Sequence, residues 1–246
     1  MTVFETEEIF DYSVFTSRLD VLNTDSKHVI NTINQYSYVI AEKDSDFKKA
    51  LMDSEVLLPD GVGILFAIKL LKGKKVKKIA GADLHAYLLD KLNKEGGSCF
   101  YLGSSETTLQ GIKERLKREY PFVRAGFYSP PYKKHFNEAE NLKMLEAVNH
   151  FKPDVLFVGM TAPKQEKWVN ENKLALNANV ICSIGAVFDF YGGQVERPAK
   201  IWVDLKLEWF VRLVKEPKRM WKRYLYYGPF FIYLMIKEKI TNPQHK

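Results

Sequence analysis

Short, almost uninterrupted apolar runs recur along this chain, each followed by a longer segment in which apolar residues return every three or four positions. The runs are "HVINTI", "SEVLLPDG", "SCFYLG", "VRAGFYS", "DVLFVGM" and "NVICSIGAVFDF". Between them come "FKKALMDS", "VGILFAIKLLK", "TLQGIKERLKREY", "NLKMLEAVNHF" and "APKQEKWVNENKLAL". Strands that do not alternate polar with apolar are buried on both faces, and intervening helices supply the cover. The pattern predicts an α/β fold, a parallel Rossmann-like sheet with helices on both faces. Ligands bind outside the carboxyl ends of such strands, so the loops "PDGVG", "LGSSE", "GMTAPKQE" and "SIGAVFD" are where a site is expected.

After Gly193 the strand pattern stops, and "RPAKIWVDLKLEWFVRLVKEPKRMWKRYLYYGPFFIYLMIKEK" predicts only aromatic-rich helices, broken at Glu216-Pro217 and Gly228-Pro229. The expected division is a catalytic α/β domain over 1–195 and a helical appendage over 196–246. Charge sharpens this picture. Residues 1–199 hold 26 basic and 26 acidic side chains, whereas residues 200–246 hold 11 and 4, so the whole excess of +7 sits in the appendage. An anionic partner is expected at that end: an anionic membrane surface, nucleic acid or a diphosphate substrate. The run from Tyr224 to Ile236 is too short to cross a bilayer and suits an interfacial position, with packing on the protein's own body or on a partner subunit as the alternative. The acidic start "MTVFETEEIFDY" has no signal-peptide character, which predicts a cytoplasmic protein held peripherally on the inner face of the cell membrane. Cys99 and Cys182 are each embedded in an apolar run and are expected to be buried thiols.

Candidate chemistry falls in the sheet-end loops. Asp60 follows a buried strand and precedes two glycines, a place for a general base or for an ordinary Pro-Asp-Gly turn. In "APKQE" a helix starts after Pro163, and Lys164, Gln165 and Glu166 lie in its first turn, where free backbone amides attract anions. Thr32 and Asn34 are read on one face of a strand end, within reach of a sugar. Asp189, before a double glycine, is read in a tight ligand-facing loop or a chain reversal. Asp44 and Asp46 match an Asp-x-Asp metal pattern, but they precede a helix, and capping explains them more simply. No metal and no cofactor is expected.

Taken together and in order, "TIN", "PDGVG", "IAGADL", "YLGSS", "VGMTAPKQEKW", "IGAVFDFYGGQVERP" and "LEWFVRLVKEPKRMWKRY" resemble the WecG/TagA/CpsF family of bacterial glycosyltransferases, from about Thr32 to Tyr224. The resemblance implies metal-independent, inverting transfer of a sugar, typically N-acetylmannosamine or its uronic acid, from a UDP donor to a polyprenyl-diphosphate-linked sugar. Such transfer serves cell-surface polysaccharide or teichoic acid synthesis. It implies Asp60 as the general base, Thr32, Asn34 and Gln165 as pocket residues, and Arg212, Arg219 and Arg223 as contacts to the lipid diphosphate. Lys78, Lys164 and Arg197 are the side chains expected to stabilise the leaving diphosphate, and Lys78 stands where the family pattern usually has arginine. A second copy of the chain is a further candidate partner. A nucleotide-sugar epimerase or dehydrogenase would need a Gly-rich dinucleotide loop, which is absent. A single-stranded nucleic-acid-binding protein using the basic tail is the alternative from another class.

Overall fold

The computed structural model describes residues 4–195, 202 and 208–241. Six parallel strands form the central sheet: β3 (His28–Ile33), β4 (Val56–Pro59), β5 (Ser98–Gly103), β6 (Arg124–Tyr128), β7 (Val155–Gly159) and β8 (Val180–Ser183). Their spatial order is β4-β3-β8-β7-β5-β6. All six are the apolar runs of the sequence. The patterning does not mark the antiparallel hairpin that precedes them, β1 (Thr6–Ile9) with β2 (Tyr12–Phe15).

Helices connect the strands: α1 (Gln35–Ala41), α2 (Ser45–Met52), α3 (Val62–Lys72), α4 (Gly81–Glu95), α5 (Glu106–Glu119), α6 (Glu138–Phe151), α7 (Lys164–Asn172) and α8 (Ala186–Tyr191). Side-chain caps set several starts. Asn34 and Ser37 form a reciprocal capping box at α1, Asp44 caps α2 and Ser105 caps α5, satisfying amides that a first helical turn leaves open. On one sheet face Ile30, Leu58, Tyr101, Phe157 and Cys182 pack with Leu84 and Leu88 of α4, Ile112 of α5 and Phe188 of α8. On the other, Val29, Leu156, Val158 and Ile181 pack with Val148 of α6 and Trp168 and Val169 of α7. Cys99 and Cys182 are buried free thiols, as expected, and burial pushes both well above the usual thiol range.

Among the described residues from 208 on there are three helices, α9 (Glu208–Lys215), α10 (Pro217–Trp221) and α11 (Tyr227–Thr241), the last two joined by a π-helical turn over Lys222–Tyr226. The expected break at Glu216-Pro217 is present, since Glu216 leaves the helical region and Pro217 opens α10. The expected break at Gly228-Pro229 is not. Pro229 lies in the first turn of α11, where a missing N–H costs nothing within that helix, and the wider π turn just before it accommodates the ring. Phe231 and Met235 of α11 are buried with Tyr38 of α1, Ile64 and Ile68 of α3 and Ile9 of the hairpin. The alternative of packing on the protein's own body is therefore realised along one side of α11. Phe230, Ile232, Tyr233, Ile236 and Ile240 remain exposed on the rest of it. No helix among the described residues is long and apolar enough to cross a membrane.

Candidate active site

Two groups of polar side chains gather at the carboxyl edge of the sheet. The first lies where β3 and β4 end. Asp60 follows β4 directly, and its N–H donates to the Ile33 carbonyl of β3 at 2.9 Å, which fixes the residue at the sheet edge. The ammonium of Lys78 stands 3.8 Å from Asp60 Oδ1, and both side chains are about one-third exposed, at 31% and 30%. Lys78 is carried there by its neighbour, since the Ile79 N–H donates to the Pro59 carbonyl at 3.1 Å. Gly61 adopts φ +114°, a conformation that an L side chain rarely takes. A Cβ on Gly61 would also stand 2.9 Å from Gln35 Oε1 and 3.2 Å from Asn34 Cβ. The turn after Asp60 thus lies directly on the first turn of α1.

Thr32, half-buried on β3, pairs in register with Leu58 of β4, so it neighbours the same edge. Asn34 is one residue beyond the strand. Its Oδ1 accepts from the Tyr36 and Ser37 amides at 3.0 Å each, so any ligand contact from Asn34 falls to its Nδ2. The pattern-based reading missed Gln35, whose side chain packs over Gly61 and Gly63, and Tyr36, the next residue along. Their only signal was adjacency to "TIN".

The second group lies where β7 and β8 end. Gln165 and Glu166 occupy the first turn of α7, as expected, but both are buried, at 5% and 3% exposure. The Gln165 amide is engaged at both ends: the Met160 N–H donates to its Oε1 at 3.2 Å, and its Nε2 donates to Glu166 Oε1 at 2.9 Å. A Cβ on Gly185, in the loop after β8, would stand 2.5 Å from Gln165 Oε1, so glycine there lets the loop close onto the amide. Burial pushes the Glu166 carboxyl up to about 7, against the hydrogen bonds from Gln165 and from its own N–H. Periodicity carried a signal for this burial, because Gln165 and Glu166 lie three residues before Trp168 and Val169 on the packed side of α7.

Other expected site residues lie elsewhere. Lys164 turns toward the segment before α6, where its ammonium donates to the Lys133 carbonyl at 2.5 Å and stands 3.6 Å from the Phe136 ring centre. Burial lowers its pKa. Asp189 is not in a loop but within α8, whose Val187 and Phe188 pack inward; its carbonyl accepts from the Gln194 and Val195 amides as the chain turns. Asp44 caps α2, as expected, and also pairs with Lys167 of α7 at 3.0 Å, while Asp46 stands 3.7 Å from the same ammonium. Arg223 comes close to the first group: its guanidinium lies 4.9 Å from the ring centre of Tyr36, and Tyr227 meets the same ring edge-on at 5.2 Å. Arg197 and the side chains of Arg212 and Arg219 lie outside the described residues.

A carboxylate at a strand end, a lysine beside it and sugar-sized polar groups on the neighbouring strand fit proton abstraction from a hydroxyl beside an anionic leaving group. In the comparison with known proteins, the model of the glycosyl transferase WecG/TagA/CpsF family matches residues 9–245. The chain belongs to the WecG/TagA/CpsF family. Among its curated relatives is the N-acetylglucosaminyldiphosphoundecaprenol N-acetyl-beta-D-mannosaminyltransferase of Bacillus subtilis, 30% identical over 86% of this chain and 80% of the relative. Enzymes of the same name from Bacillus spizizenii and Staphylococcus aureus are 27% and 25% identical, over 94% and 97% of this chain and 88% and 85% of their own lengths. None of these WecG/TagA/CpsF relatives is named as a nucleic-acid-binding protein, and that alternative gains no support.

Proposed function

We propose that this chain is an inverting hexosyltransferase that moves N-acetylmannosamine, or a closely related hexose derivative, from a UDP-sugar to an undecaprenyl-diphosphate-linked sugar. The polymer served is a cell-surface polysaccharide or teichoic acid. Family membership supports the reaction class, and the names of the relatives support the donor sugar and the lipid-diphosphate acceptor. The observation that carries the reading is Asp60, held at the carboxyl edge of β4 with Lys78 at 3.8 Å and Thr32 and Asn34 on the adjoining strand end.

In this reading the acceptor hydroxyl oxygen attacks the anomeric carbon while Asp60 takes its proton. The new glycosidic C–O bond forms as the bond from the anomeric carbon to the diphosphate oxygen breaks on the opposite face, and UDP departs with that electron pair. Lys78, 3.8 Å from Asp60, is the cation assigned to the leaving diphosphate, Thr32 and Asn34 hold sugar hydroxyls, and Gln165 shapes the pocket from beneath the loops. Arg223, with Arg212 and Arg219, takes the lipid diphosphate. Metal independence belongs to the same proposal, since the one Asp-x-Asp pair is spent on a helix cap and on Lys167.

We further assign residues 1–195 to catalysis and residues 196–246 to docking on the inner face of the cell membrane, through the basic residues of α10 and the exposed apolar residues of α11. The experiment that tests the function is incubation of the protein with a panel of UDP-sugars and a short-chain diphosphate-linked GlcNAc lipid, with and without chelator. Chelator-insensitive transfer from UDP-N-acetylmannosamine is expected. No transfer from any UDP-sugar, or strict dependence on a divalent metal, would overturn it.

A further inference from the structure

Glu166 is a carboxyl group with no cation paired to it among the described residues. Its Oε1 receives the Gln165 amide, but its Oε2 is buried and has no hydrogen-bond partner among the described residues. Two other buried polar atoms on the same side of the sheet share that condition, Ser183 Oγ and Asn31 Oδ1. Ser183 pairs in register with Val158 of β7 and is two residues beyond Ile181, so it shares their face, the one α7 covers. Asn31, on the adjacent strand β3, donates from Nδ2 to the Ala50 carbonyl of α2, the helix that packs beside α7. Burying an ionised carboxylate in such surroundings is costly unless it is fully paired.

The charged groups of the surrounding elements are engaged with one another. Lys167 pairs with Asp44 and Asp46 between α7 and α2, and Lys48 of α2 pairs with Asp11 and Glu42. Asp53 receives Asn170 and its carbonyl receives Lys173 at the other end of the two helices. Lys164 is turned to the Lys133 carbonyl, and Lys49 and Glu171 are exposed. Strands β7 and β8 present only Leu156, Val158, Ile181 and Ser183 to this side.

We propose that Glu166 works as a neutral carboxylic acid: with a proton on Oε2 it is the positioning residue that keeps the Gln165 amide, and through it the two sheet-end loops, in the arrangement used for transfer. A proton on Oε2 removes the charge that burial without a cation makes costly, and it leaves Oε1 free to receive Gln165. Gln165 in turn holds the Met160 amide after β7 and lies against Gly185 after β8, so ionisation of Glu166 is felt in both loops. This proposal rests on the glycosyltransferase reading for its kinetic arm only.

The sign of the pH effect follows from the raised pKa. The stability contributed by the protonated form is complete below the ordinary carboxyl value of 4.5 and is lost as pH rises through about 7. The test compares full-length wild type, Glu166→Gln and Glu166→Ala at about pH 6 and about pH 8, by urea unfolding and by transfer to the lipid acceptor. Glutamine reproduces the neutral acid, with an oxygen for Gln165 and no charge to bury. Wild type should lose stability between the two pH values relative to Glu166→Gln. Its kcat should fall about tenfold relative to that variant, because one pH unit above its pKa only about a tenth of the acid stays protonated. Glu166→Gln should recover the kcat that Glu166→Ala loses, with KM little changed. Equal pH slopes of stability in wild type and Glu166→Gln, or a glutamine variant as impaired as the alanine one, would overturn the proposal. Absence of transfer in every protein would instead count against the function, leaving the unfolding slopes to decide the role of Glu166.

Discussion

Asn34 shows how one side chain is shared between folding and chemistry. Its Oδ1 closes the capping box of α1, and its Cβ lies where the Asp60-Gly61 turn comes closest to that helix. Replacement by alanine removes the cap, which costs about 1 kcal/mol. It also loosens the neighbour of Asp60, so Asn34→Ala should lower transfer at least tenfold while urea unfolding records only the small cap loss. Asn34→Asp, which keeps the cap, should restore stability but not transfer. Asp60 itself was legible as a strand-end carboxylate, and so were Thr32 and Asn34 as nearby polar groups. The depth of Gln165 and Glu166 was not, because "KQE" at a helix start reads as solvated, and their burial depends on how α7 lies on β7 and β8. The spacing to Trp168 and Val169 marked the packed side of α7, but not that the polar pair at its start lies beneath the loops.

At the scale of elements, the six strands were legible because each is a short run dominated by apolar residues, five of them largely buried on both faces. Helices α1 and α4 and the β1–β2 hairpin were not. In α1, "QYSYVIA" mixes aromatic, β-branched and polar residues without a clear period, and the hairpin's "TEEI" carries charge on a short strand. The appendage is the instructive case, since "YGPFFIYLMI" reads as a broken apolar run, while the structure makes it a helix with two distinct sides. Phe231 and Met235 complete the core between α1, α3 and the hairpin, so a chain cut after Arg212 exposes that core rather than shedding an independent arm. Phe231→Ala should cost about 3–5 kcal/mol in urea unfolding, in line with other buried phenylalanines. Serine at both Ile232 and Ile236, on the exposed side, should leave unfolding within about 0.5 kcal/mol of wild type. That same double variant should abolish co-sedimentation with anionic vesicles. Retained vesicle binding would remove the membrane-docking role from α11.

For the whole molecule, we propose that the arrangement joins a reaction centre at the β3–β4 edge to a means of reaching a lipid-borne substrate. The charge excess is confined to the last part of the chain, where each lysine or arginine near an anionic surface contributes about 1 kcal/mol of attraction. Arg223 and Tyr227 rest on Tyr36, two residues from Asn34, so the helices proposed to dock adjoin the β3–β4 edge rather than the far side of the sheet. A diphosphate anchored in the membrane would then lie close to Asp60. The measurement that tests this most directly is the rate of sugar transfer to a diphosphate-linked GlcNAc lipid by Asp60→Asn beside wild type, with folding of the variant checked by unfolding. The account predicts a folded protein whose transfer falls by about 10²–10⁴-fold, the share a general base supplies. Near-normal turnover by the folded variant would contradict it.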